Sequence, residues 1–459
     1  MGHDTDLDIM LGEPKKAIFR MALPLIVSFA VVQVNSFADT AWCSGLGAEV
    51  NSGLTSISPF YWIVAGLGSG MGVGASTAIA RHLAKGQNAD ANRTAVHAVV
   101  MVIAIALVIT PLLVLPIHPI MDLIGAGDVA DHAYSYMMPM MSMAVFIVLS
   151  ETLSGIVRSE GAARRSMLMM LSAATLNMVL DPVLIYGLDM GATGAGLATA
   201  LSSMLACIIG LQWYARGRMT VSLSPRGFHP DKRTTMNILG VGVPRATETM
   251  MINGMSLVER YFVIICAGSF GSALFSIPWN FVTLCCIVSM ALAAAMIPVC
   301  SAALGINDPV KAREGFLYGT KLCLILMVTV DVAIFVFADA CVTPFTMSES
   351  MLAHKSEFVE VLRIYCLFIP FVGMIDMGSS LLQCLRKANV SMWSSLLRNM
   401  IIVVLFAITC HTTLDMMFMG LAAAEVAGGI MMMTLAAYVF KVKTGVSLRR
   451  TSDRLHGNV

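Results

Sequence analysis

Charged residues are scarce in this sequence. Only 12% of its 459 residues are Asp, Glu, Lys or Arg, whereas 57% are hydrophobic and the mean hydropathy is +0.80. Globular domains carry about 25% charged residues, so a soluble chain of this length would lack the charge to cover its surface. The net charge of +1 provides no basic surface for phosphate groups. The composition excludes a soluble enzyme, a disordered scaffold and a nucleic-acid-binding protein.

Motifs that would mark an enzyme or a cleaved leader are also absent. The 11 cysteines form no C-x-x-C spacing, which predicts neither a disulfide nor a metal site. No glycine-rich loop is followed by Lys-Ser or Lys-Thr, so we expect no ATP hydrolysis. The N-terminus lacks the basic and apolar regions of a signal peptide. We therefore expect a protein that is not an enzyme and has no cofactor, in which transport uses an ion gradient or runs downhill.

Long apolar segments are abundant. A helix that crosses a membrane needs about 20 mostly apolar residues, because the backbone must satisfy its own hydrogen bonds in lipid. The expected fold class is therefore an all-α polytopic membrane protein with twelve transmembrane helices. The predicted spans are 17–42, 53–80, 94–117, 132–157, 166–187, 195–215, 237–267, 272–304, 315–338, 358–385, 390–413 and 417–440.

Lysine and arginine residues are distributed unevenly among the predicted loops. With the N-terminus in the cytoplasm, 23 of the 29 basic residues fall in cytoplasmic segments, five fall in helices and only Lys355 falls in an outer loop. Cytoplasmic loops of membrane proteins carry such an excess. The bias supports an even number of spans with both termini in the cytoplasm.

The two halves of the sequence are weakly repeated. Pro24 and Pro244 lie 220 positions apart, as do Asp39 and Glu259. Because each half has six helices, both halves enter the membrane from the same side, which predicts a parallel repeat of two pseudo-symmetric lobes. The predicted domains are an N-lobe at 1–215, a cytoplasmic linker at 216–236, a C-lobe at 237–440 and a basic cytoplasmic tail at 441–459.

Ionisable side chains inside the predicted spans are costly, and each needs a physical reason. Asp39 and Asp181 lie in the first half, whose spans contain no clear basic partner. An unpaired carboxylate in lipid must be protonated, bind a cation or face water, so these two acids are the strongest candidates for function. The second half contains bases as well and can neutralise itself by pairing. Its acids are Glu248, Glu259, Asp331, Asp376 and Glu425.

The fifth predicted helix combines three features of an ion site. Asn177 and Asp181 are four residues apart and therefore share one helix face. Pro182 removes a backbone hydrogen bond and frees a carbonyl one turn earlier. Amide, carboxylate and carbonyl oxygens suit a proton or a hard cation. Pro24 predicts a similar kink in the first helix, about 22 Å before Asp39. For both prolines, a simple packing kink is the alternative.

Two compositional features have competing interpretations. The glycines at 66, 68, 70, 72 and 74 lie inside the second span, where they predict close helix packing rather than a phosphate loop. Methionine clusters such as 137–143 suit a cavity that accepts diverse apolar ligands. The same clusters suit a lipid-facing surface equally well.

Several motifs resemble those of the multidrug and toxic compound extrusion (MATE) family. They are MALPLIVSF in the first helix, GLGSGMGVGASTAIARHLAKG in the second, LNMVLDPVLIYG in the fifth and GVPRATETMM in the seventh. The resemblance extends over all twelve helices. It implies two six-helix lobes that alternate between inward and outward access, in a transporter of the plasma membrane.

The resemblance also implies specific site residues. In the prokaryotic branch with an N-lobe ion site, the site uses an Asp on helix 1, an Asn and an Asp on helix 5 and a Thr on helix 6. The matching residues here are Asp39, Asn177, Asp181 and Thr199. Another branch uses a Glu on helix 7 and an Asp on helix 10. The possible counterparts, whose spacing does not fit cleanly, are Glu248, Glu259 and Asp376.

The expected function is export of organic, cationic or amphipathic compounds, coupled to a proton or a sodium ion. The expected partners are these small molecules and the lipid bilayer, for a monomer that binds no nucleic acid. Two alternatives remain open. A lipid-linked oligosaccharide flippase of the same superfamily would need a cationic cavity for diphosphate, and a prenyl transferase would need clustered Asp motifs for magnesium.

Overall fold

The chain forms twelve membrane-spanning helices. The computed structural model describes residues 3–115, 119, 130–224, 228–346, 349–411 and 413–448, and these ranges contain helices and no β-strand. Eleven helices are long and apolar enough to cross a membrane, and a bent pair supplies the twelfth. The predicted fold class is confirmed. The spans are α1 (Pro14–Ser44), α2 (Ala48–Ala84), α3 (Asn88–Val114), α4 (Ala130–Ser142 with Ala144–Ser159), α5 (Ala163–Pro182), α6 (Gly191–Ala215), α7 (Lys232–Gly268), α8 (Phe270–Gly305), α9 (Pro309–Val336), α10 (Lys355–Cys366 with Ile369–Cys384), α11 (Ala388–Thr409) and α12 (Leu414–Thr444).

Most of these helices extend beyond the predicted spans. Helix α7 begins at Lys232 rather than at 237, because the Asp231 carboxylate accepts hydrogen bonds from the backbone N–H groups of Arg233 and Thr234. Helix α12 continues to Thr444, so the last residues of the predicted linker and the first residues of the predicted tail are helical. The tail beyond position 448 lies outside the described residues. Hydropathy marks the part of a helix that lies in lipid, whereas a capped helix continues into water. The last two residues of the predicted span 94–117 lie outside the described residues.

The described helices include a bend, a sharp turn between two spans and a change of helix type. The two parts of α4 meet at an angle of 55°. The chain turns between α7 and α8 at Gly268, whose φ of 62° and ψ of −151° are accessible to glycine and strained for other residues. Helix α5 ends at Pro182 and continues as a π-helical turn over Val183–Gly187. This change of helix type lies directly beside the predicted ion site.

The apolar cores reveal how the two halves meet. One core is built mainly from α2, α3, α4 and α6, and a larger one from α7 to α12. The larger core also contains Ile18, Met21 and Leu25 of α1, all at most 1% exposed. The first half of α1 is therefore buried against the helices of the opposite half.

Alternate glycines of α2 form a second contact between the halves. Gly66, Gly70 and Gly74 lie one turn apart on a face that packs against α7. A Cβ atom on Gly70 would lie 2.5 Å from the Gly242 carbonyl oxygen, and one on Gly74 would collide with the Ile238 carbonyl. Only residues without a side chain let the two backbones approach this closely.

The remaining glycines of α2 face the other way. A Cβ atom on Gly68 would lie 2.7 Å from the Val148 carbonyl oxygen of α4, and Gly72 packs against Gly155. Helix α2 is therefore wedged between α4 of its own half and α7 of the other. The glycine run is a helix-packing surface, as the sequence predicts.

Polar contacts join the halves at one end of the bundle. The Arg81 guanidinium donates a hydrogen bond to the Cys384 carbonyl, and the Lys311 ammonium donates to the Leu11 carbonyl. We call this end the basic side, because the loops there contain most of the lysines and arginines. The named contacts between the halves lie toward the basic side. On α7 beyond Thr249, large apolar side chains such as Leu257 and Tyr261 are exposed.

The loop between α4 and α5 anchors the segment that follows α6. The buried Glu160 carboxylate accepts hydrogen bonds from the Tyr214 hydroxyl at 2.8 Å and from the backbone N–H groups of Thr220 and Val221 at 2.6 and 3.0 Å. Burial raises the pKa of Glu160 to about 7, although these hydrogen bonds lower it. This carboxyl therefore ties the start of the connecting segment to the first six helices.

Candidate ion site

A chain of polar side chains connects α1 and α5. The Asn35 amide donates a hydrogen bond to the Asn177 carbonyl oxygen at 2.9 Å, and the Asn177 amide donates to the Asp181 carboxylate at 3.2 Å. Asp181 is fully buried. Asn177 and Asp181 share a helix face as predicted, and Asn35 holds that face against α1.

Two oxygen atoms among these polar side chains accept no hydrogen bond. They are one carboxylate oxygen of Asp181 and the side-chain carbonyl oxygen of Asn35, and both are buried. A buried polar atom without a partner is costly, and a buried carboxylate without a counter-ion is more so. The pair of free acceptors has the chemistry of a binding site for a proton or a small hard cation.

Asp39 lies one helical turn beyond Asn35 on α1 and is half-buried. It interacts electrostatically with Asp181, and one of its oxygens lies 3.7 Å from the Cys43 sulfur. Within the described part of the chain, no lysine or arginine lies within ion-pair distance of either acid. Two neighbouring carboxylates without a base repel each other when both are ionised, which favours uptake of a positive charge between them.

Thr199 contributes from α6. Its hydroxyl donates a hydrogen bond to the Ala195 carbonyl at 3.3 Å and shares another with the Tyr136 hydroxyl of α4. Tyr136 in turn lies within electrostatic range of Asp39. The four residues that the sequence assigns to the ion site thus come from α1, α5 and α6, with Tyr136 of α4 beside Thr199.

The two prolines differ in their surroundings. Pro24 is buried inside α1, next to Leu25 in the core that joins the halves. Pro182 follows Asp181 and precedes the π-helical turn, which places the Tyr186 hydroxyl 2.5 Å from the Trp42 carbonyl of α1. The turn after Pro182 therefore fastens the end of α5 to the end of α1, close to the ion site.

Sequence reasoning missed Asn35 and Tyr136. A signal for Asn35 exists, because Asn35 and Asp39 repeat the four-residue spacing of Asn177 and Asp181 on a second helix. No comparable signal marks Tyr136, because its position depends on how α4 packs against α6.

In the second half, the Glu248 carboxylate has both hydrogen-bond donors and a basic partner. It is 2% exposed, and its carboxylate accepts hydrogen bonds from three serines of α10 and α11. The Arg245 guanidinium lies 3.1 Å away on the same face of α7, as the three-residue spacing predicts. A carboxylate with these partners joins α7 to α10 and α11. The serines are Ser379, Ser391 and Ser395, at 2.7–3.3 Å.

Glu259 and Asp376 lie in separate environments. Asp376 accepts a hydrogen bond from the Ser289 hydroxyl at 2.5 Å. Glu259 is buried near an ion pair between Arg398 and Glu425, whose atoms approach to 2.9 Å. Among the described residues of this half, Glu248 and Glu425 form ion pairs, whereas Glu259, Asp331 and Asp376 do not, and one buried carboxylate oxygen of Asp331 also has no hydrogen-bond donor.

Three of the five methionines at 137–143 belong to the core. Met137, Met140 and Met141 are fully buried among α2, α3 and α6. Neither interpretation of the sequence, a ligand cavity or a lipid-facing surface, applies to these three side chains. They fill space inside the first half, for which a flexible thioether is well suited.

Known proteins share this architecture and sequence. The multidrug export protein MepA of Staphylococcus aureus strain N315 is 24% identical over 419 residues, which cover 89% of this chain and 90% of that protein. The protein of the same name from strain MSSA476 is 26% identical over 287 residues, which cover 62% of this chain and 63% of that protein. The second alignment thus spans less than two thirds of its relative.

Solved structures are similar over nearly the whole chain. A MATE protein in complex with MaL6 has a TM-score of 0.92 at 28% identity, covering 96% of this chain and 99% of that one. A multidrug resistance MATE transporter in an outward-facing conformation has a TM-score of 0.90 at 27% identity, covering 97% and 99%. A MOP superfamily transporter from Pyrococcus furiosus, described as having a binding pocket of reversed polarity that suggests a different function, has a TM-score of 0.90 at 27% identity, covering 95% and 98%.

Both halves of the chain also match one family model. The MatE model matches residues 24–183 and again residues 244–409. The two matched segments contain the ion-site helices α1 and α5 and most of the second half, and together they exceed half of the sequence. The chain therefore belongs to the MatE family of membrane transporters.

Proposed function

We propose that this protein exports organic cations or amphipathic compounds by alternating access, in exchange for a proton or a sodium ion. The observation that carries the proposal is the pair of free acceptor oxygens on Asp181 and Asn35, beside a second acid and without a base. The names of the MepA relatives support the class of substrate. We further propose that the protein acts as a monomer in the plasma membrane.

The orientation follows from charge. The positive-inside rule places the basic side, and hence both termini, in the cytoplasm. The contacts between Gly70 and α7 then close the cytoplasmic side, and the ion site lies in the half of α1 that is nearer the outside. With this orientation, the described conformation is the outward-facing one of the proposed cycle.

Coupling follows from competition for the acids. Entry of a proton or sodium ion from outside reduces the negative charge of Asp39 and Asp181 that attracts an organic cation, and so it favours release of the substrate. Inward movement of one positive charge contributes about 2.3 kcal/mol per 100 mV of membrane potential. Loss of the repulsion between the acids then lets α1 bend near Pro24 and reduces the space for the substrate.

The sign of the site charge separates this function from that of a flippase. A cavity for a diphosphate-linked lipid requires cations, whereas the described polar cluster of α1 and α5 consists of acids and amides. Reversed polarity of the binding pocket is described as suggesting a different function for the Pyrococcus furiosus relative, which supports a comparison of site charge. Vesicle assays with an oligosaccharide lipid would test this alternative directly.

The test compares three single substitutions in proteoliposomes loaded with a fluorescent organic cation. Asp39→Asn and Asp181→Asn should reduce gradient-driven transport at least tenfold, because each removes a charge without changing side-chain volume. Asp189→Asn is the matched control, since Asp189 is exposed beyond α5 and asparagine tolerates its φ of 54°. Wild-type rates in both site variants would refute the proposal.

The coupling ion is identified with the same vesicles. A pH gradient and a sodium gradient are imposed separately, each with the membrane potential clamped. A proton-coupled protein transports under the first gradient only, and a sodium-coupled protein under the second only. A transport rate that neither gradient changes would contradict coupled antiport.

A further inference from the structure

A second polar site lies on the basic side, far from the acids of α1 and α5. It is a cavity of about 420 Å³ between the end of α2, the start of α3, the start of α7 and the loop between α10 and α11. Ligand-binding pockets typically have volumes of about 300–1,000 Å³. Its walls come from both halves of the chain, so the complete pocket exists only while the halves touch at this end.

Positive charge dominates the lining of this pocket. Four arginines and one lysine line the pocket, together with two carboxylates, those of Asp90 and Asp231. Asp231 is already occupied, because its oxygens accept hydrogen bonds from the backbone N–H groups of Arg233 and Thr234 and from the Thr234 hydroxyl at 2.6 Å. The cations are Arg81, Lys85, Arg93, Arg233 and Arg386.

These cations form no close ion pairs within the described part of the chain. Among the described residues, no ion pair shorter than 4.0 Å joins any of the five to a carboxylate. Arg93 is attracted by Asp231 over a longer distance. Burial and the like charge of Arg233 lower the pKa of Arg386. Arg386 also lies within electrostatic range of Arg81 of the first half, so like charges from both halves approach one another in this pocket.

Hydrogen bonds hold two of these cations, and another fixes the backbone of Arg93. Arg386 donates a hydrogen bond to the side-chain oxygen of Asn237, and Arg81 donates to the Cys384 carbonyl. His97 accepts a hydrogen bond from the Asp231 N–H at 3.0 Å and therefore carries its proton on Nδ1, which donates to the Arg93 carbonyl at 2.7 Å. Fixed guanidinium groups bind an anion without first losing side-chain freedom.

We propose that this pocket binds a phosphate-bearing anion. Guanidinium groups bind phosphate oxygens in bidentate fashion, and several of them together select for a multiply charged or diester phosphate. Two sources share this chemistry, an anionic phospholipid headgroup and a soluble polyphosphate. The positive-inside rule explains why basic residues lie in these loops, but it does not require cations of both halves to converge on one concave pocket.

Binding would have a conformational consequence, which rests on the proposed alternating access. An anion that contacts Arg81 of the first half and Arg386 of the second bridges the two halves at the basic side. It can bind only the conformation in which they touch, and so it favours the outward-facing state. Binding itself does not depend on transport, so failure of one proposal leaves the other testable.

The experiment measures binding of two probes to the purified full-length protein. Tripolyphosphate is titrated into delipidated protein in detergent, and association with anionic lipid is measured in nanodiscs that contain phosphatidylcholine with or without phosphatidylglycerol. The test variant combines Arg233→Gln with Arg386→Gln. The control combines Arg216→Gln with Lys441→Gln, which removes two exposed basic side chains of the same side that do not line the pocket.

The test variant should bind tripolyphosphate or phosphatidylglycerol at least tenfold more weakly than the control variant does. Tripolyphosphate binding that is lost in the test variant supports the proposal and assigns a soluble ligand. Binding of phosphatidylglycerol but not of tripolyphosphate, if the test variant loses it, supports the proposal and assigns a lipid ligand. Equal binding by the two variants, or no binding of either probe by the wild type, overturns it. If the test variant is misfolded by size-exclusion chromatography, Lys85→Gln with Arg93→Gln replaces it.

Discussion

Replacing Gly70 with alanine perturbs the contact between the two halves at one defined point. The new Cβ atom would lie 2.5 Å from the Gly242 carbonyl oxygen and 2.7–2.8 Å from the backbone nitrogen and Cβ of Ala246. Unstrained contacts between such atoms are about 3.5–4.0 Å long, so α2 and α7 must separate locally by roughly 1 Å. Overpacking of this kind costs about 1–3 kcal/mol.

The cost falls on one conformation only. Helices α2 and α7 belong to different halves, so the clash with α7 disappears when the halves part at the basic side. The equilibrium should therefore shift away from the described conformation by a factor of about 5 to 150. Gly66→Ala is the matched control, because a Cβ atom there lies an ordinary 3.4 Å from Thr249.

Single-molecule energy transfer measures this shift. Dyes are attached through non-canonical amino acids at positions 216 and 441, which lie on the basic side in different halves. Gly70→Ala should increase the population with a long distance between the dyes, and Gly66→Ala should leave it within about twofold of the unsubstituted protein. An unchanged population in Gly70→Ala, or an equal shift in both variants, would refute the proposed role of the glycine face.

Three further outcomes are expected from buried groups. Glu248→Ala should lower the free energy of unfolding by about 3–5 kcal/mol, measured as a loss of thermal stability in detergent, because an arginine and three serines lose their acceptor. Arg398→Met should be similarly destabilising, whereas the double variant with Glu425→Met should recover much of the loss, because no buried charge of the pair remains unpaired. The pKa of Glu160 is raised from 4.5 to about 7 in the folded protein, so its protonated form is favoured there and its contribution to stability is lost as pH rises between these values. Melting temperatures from pH 4.5 to 7.5 should therefore fall less steeply in Glu160→Gln, and parallel curves would contradict this assignment.

The sequence determined the features that follow from local composition. Twelve spans could be predicted because lipid forces each segment to be apolar over a fixed length. Asp39 and Asp181 could be singled out because an acid without a basic partner in its half of the chain is costly in lipid. The glycine run predicted close packing, although not which helices it would contact.

Only the tertiary structure decided which residues meet. In the sequence, Glu248 and Asp181 are both acids inside predicted spans. In the structure, three serines and an arginine surround the Glu248 carboxylate, whereas one Asp181 oxygen accepts no hydrogen bond. Tyr136 and the cations around Arg386 likewise acquire their neighbours from helices distant in sequence. The physical reason is that hydropathy depends on each residue's own transfer into lipid, whereas charge compensation depends on distances between side chains that only packing sets.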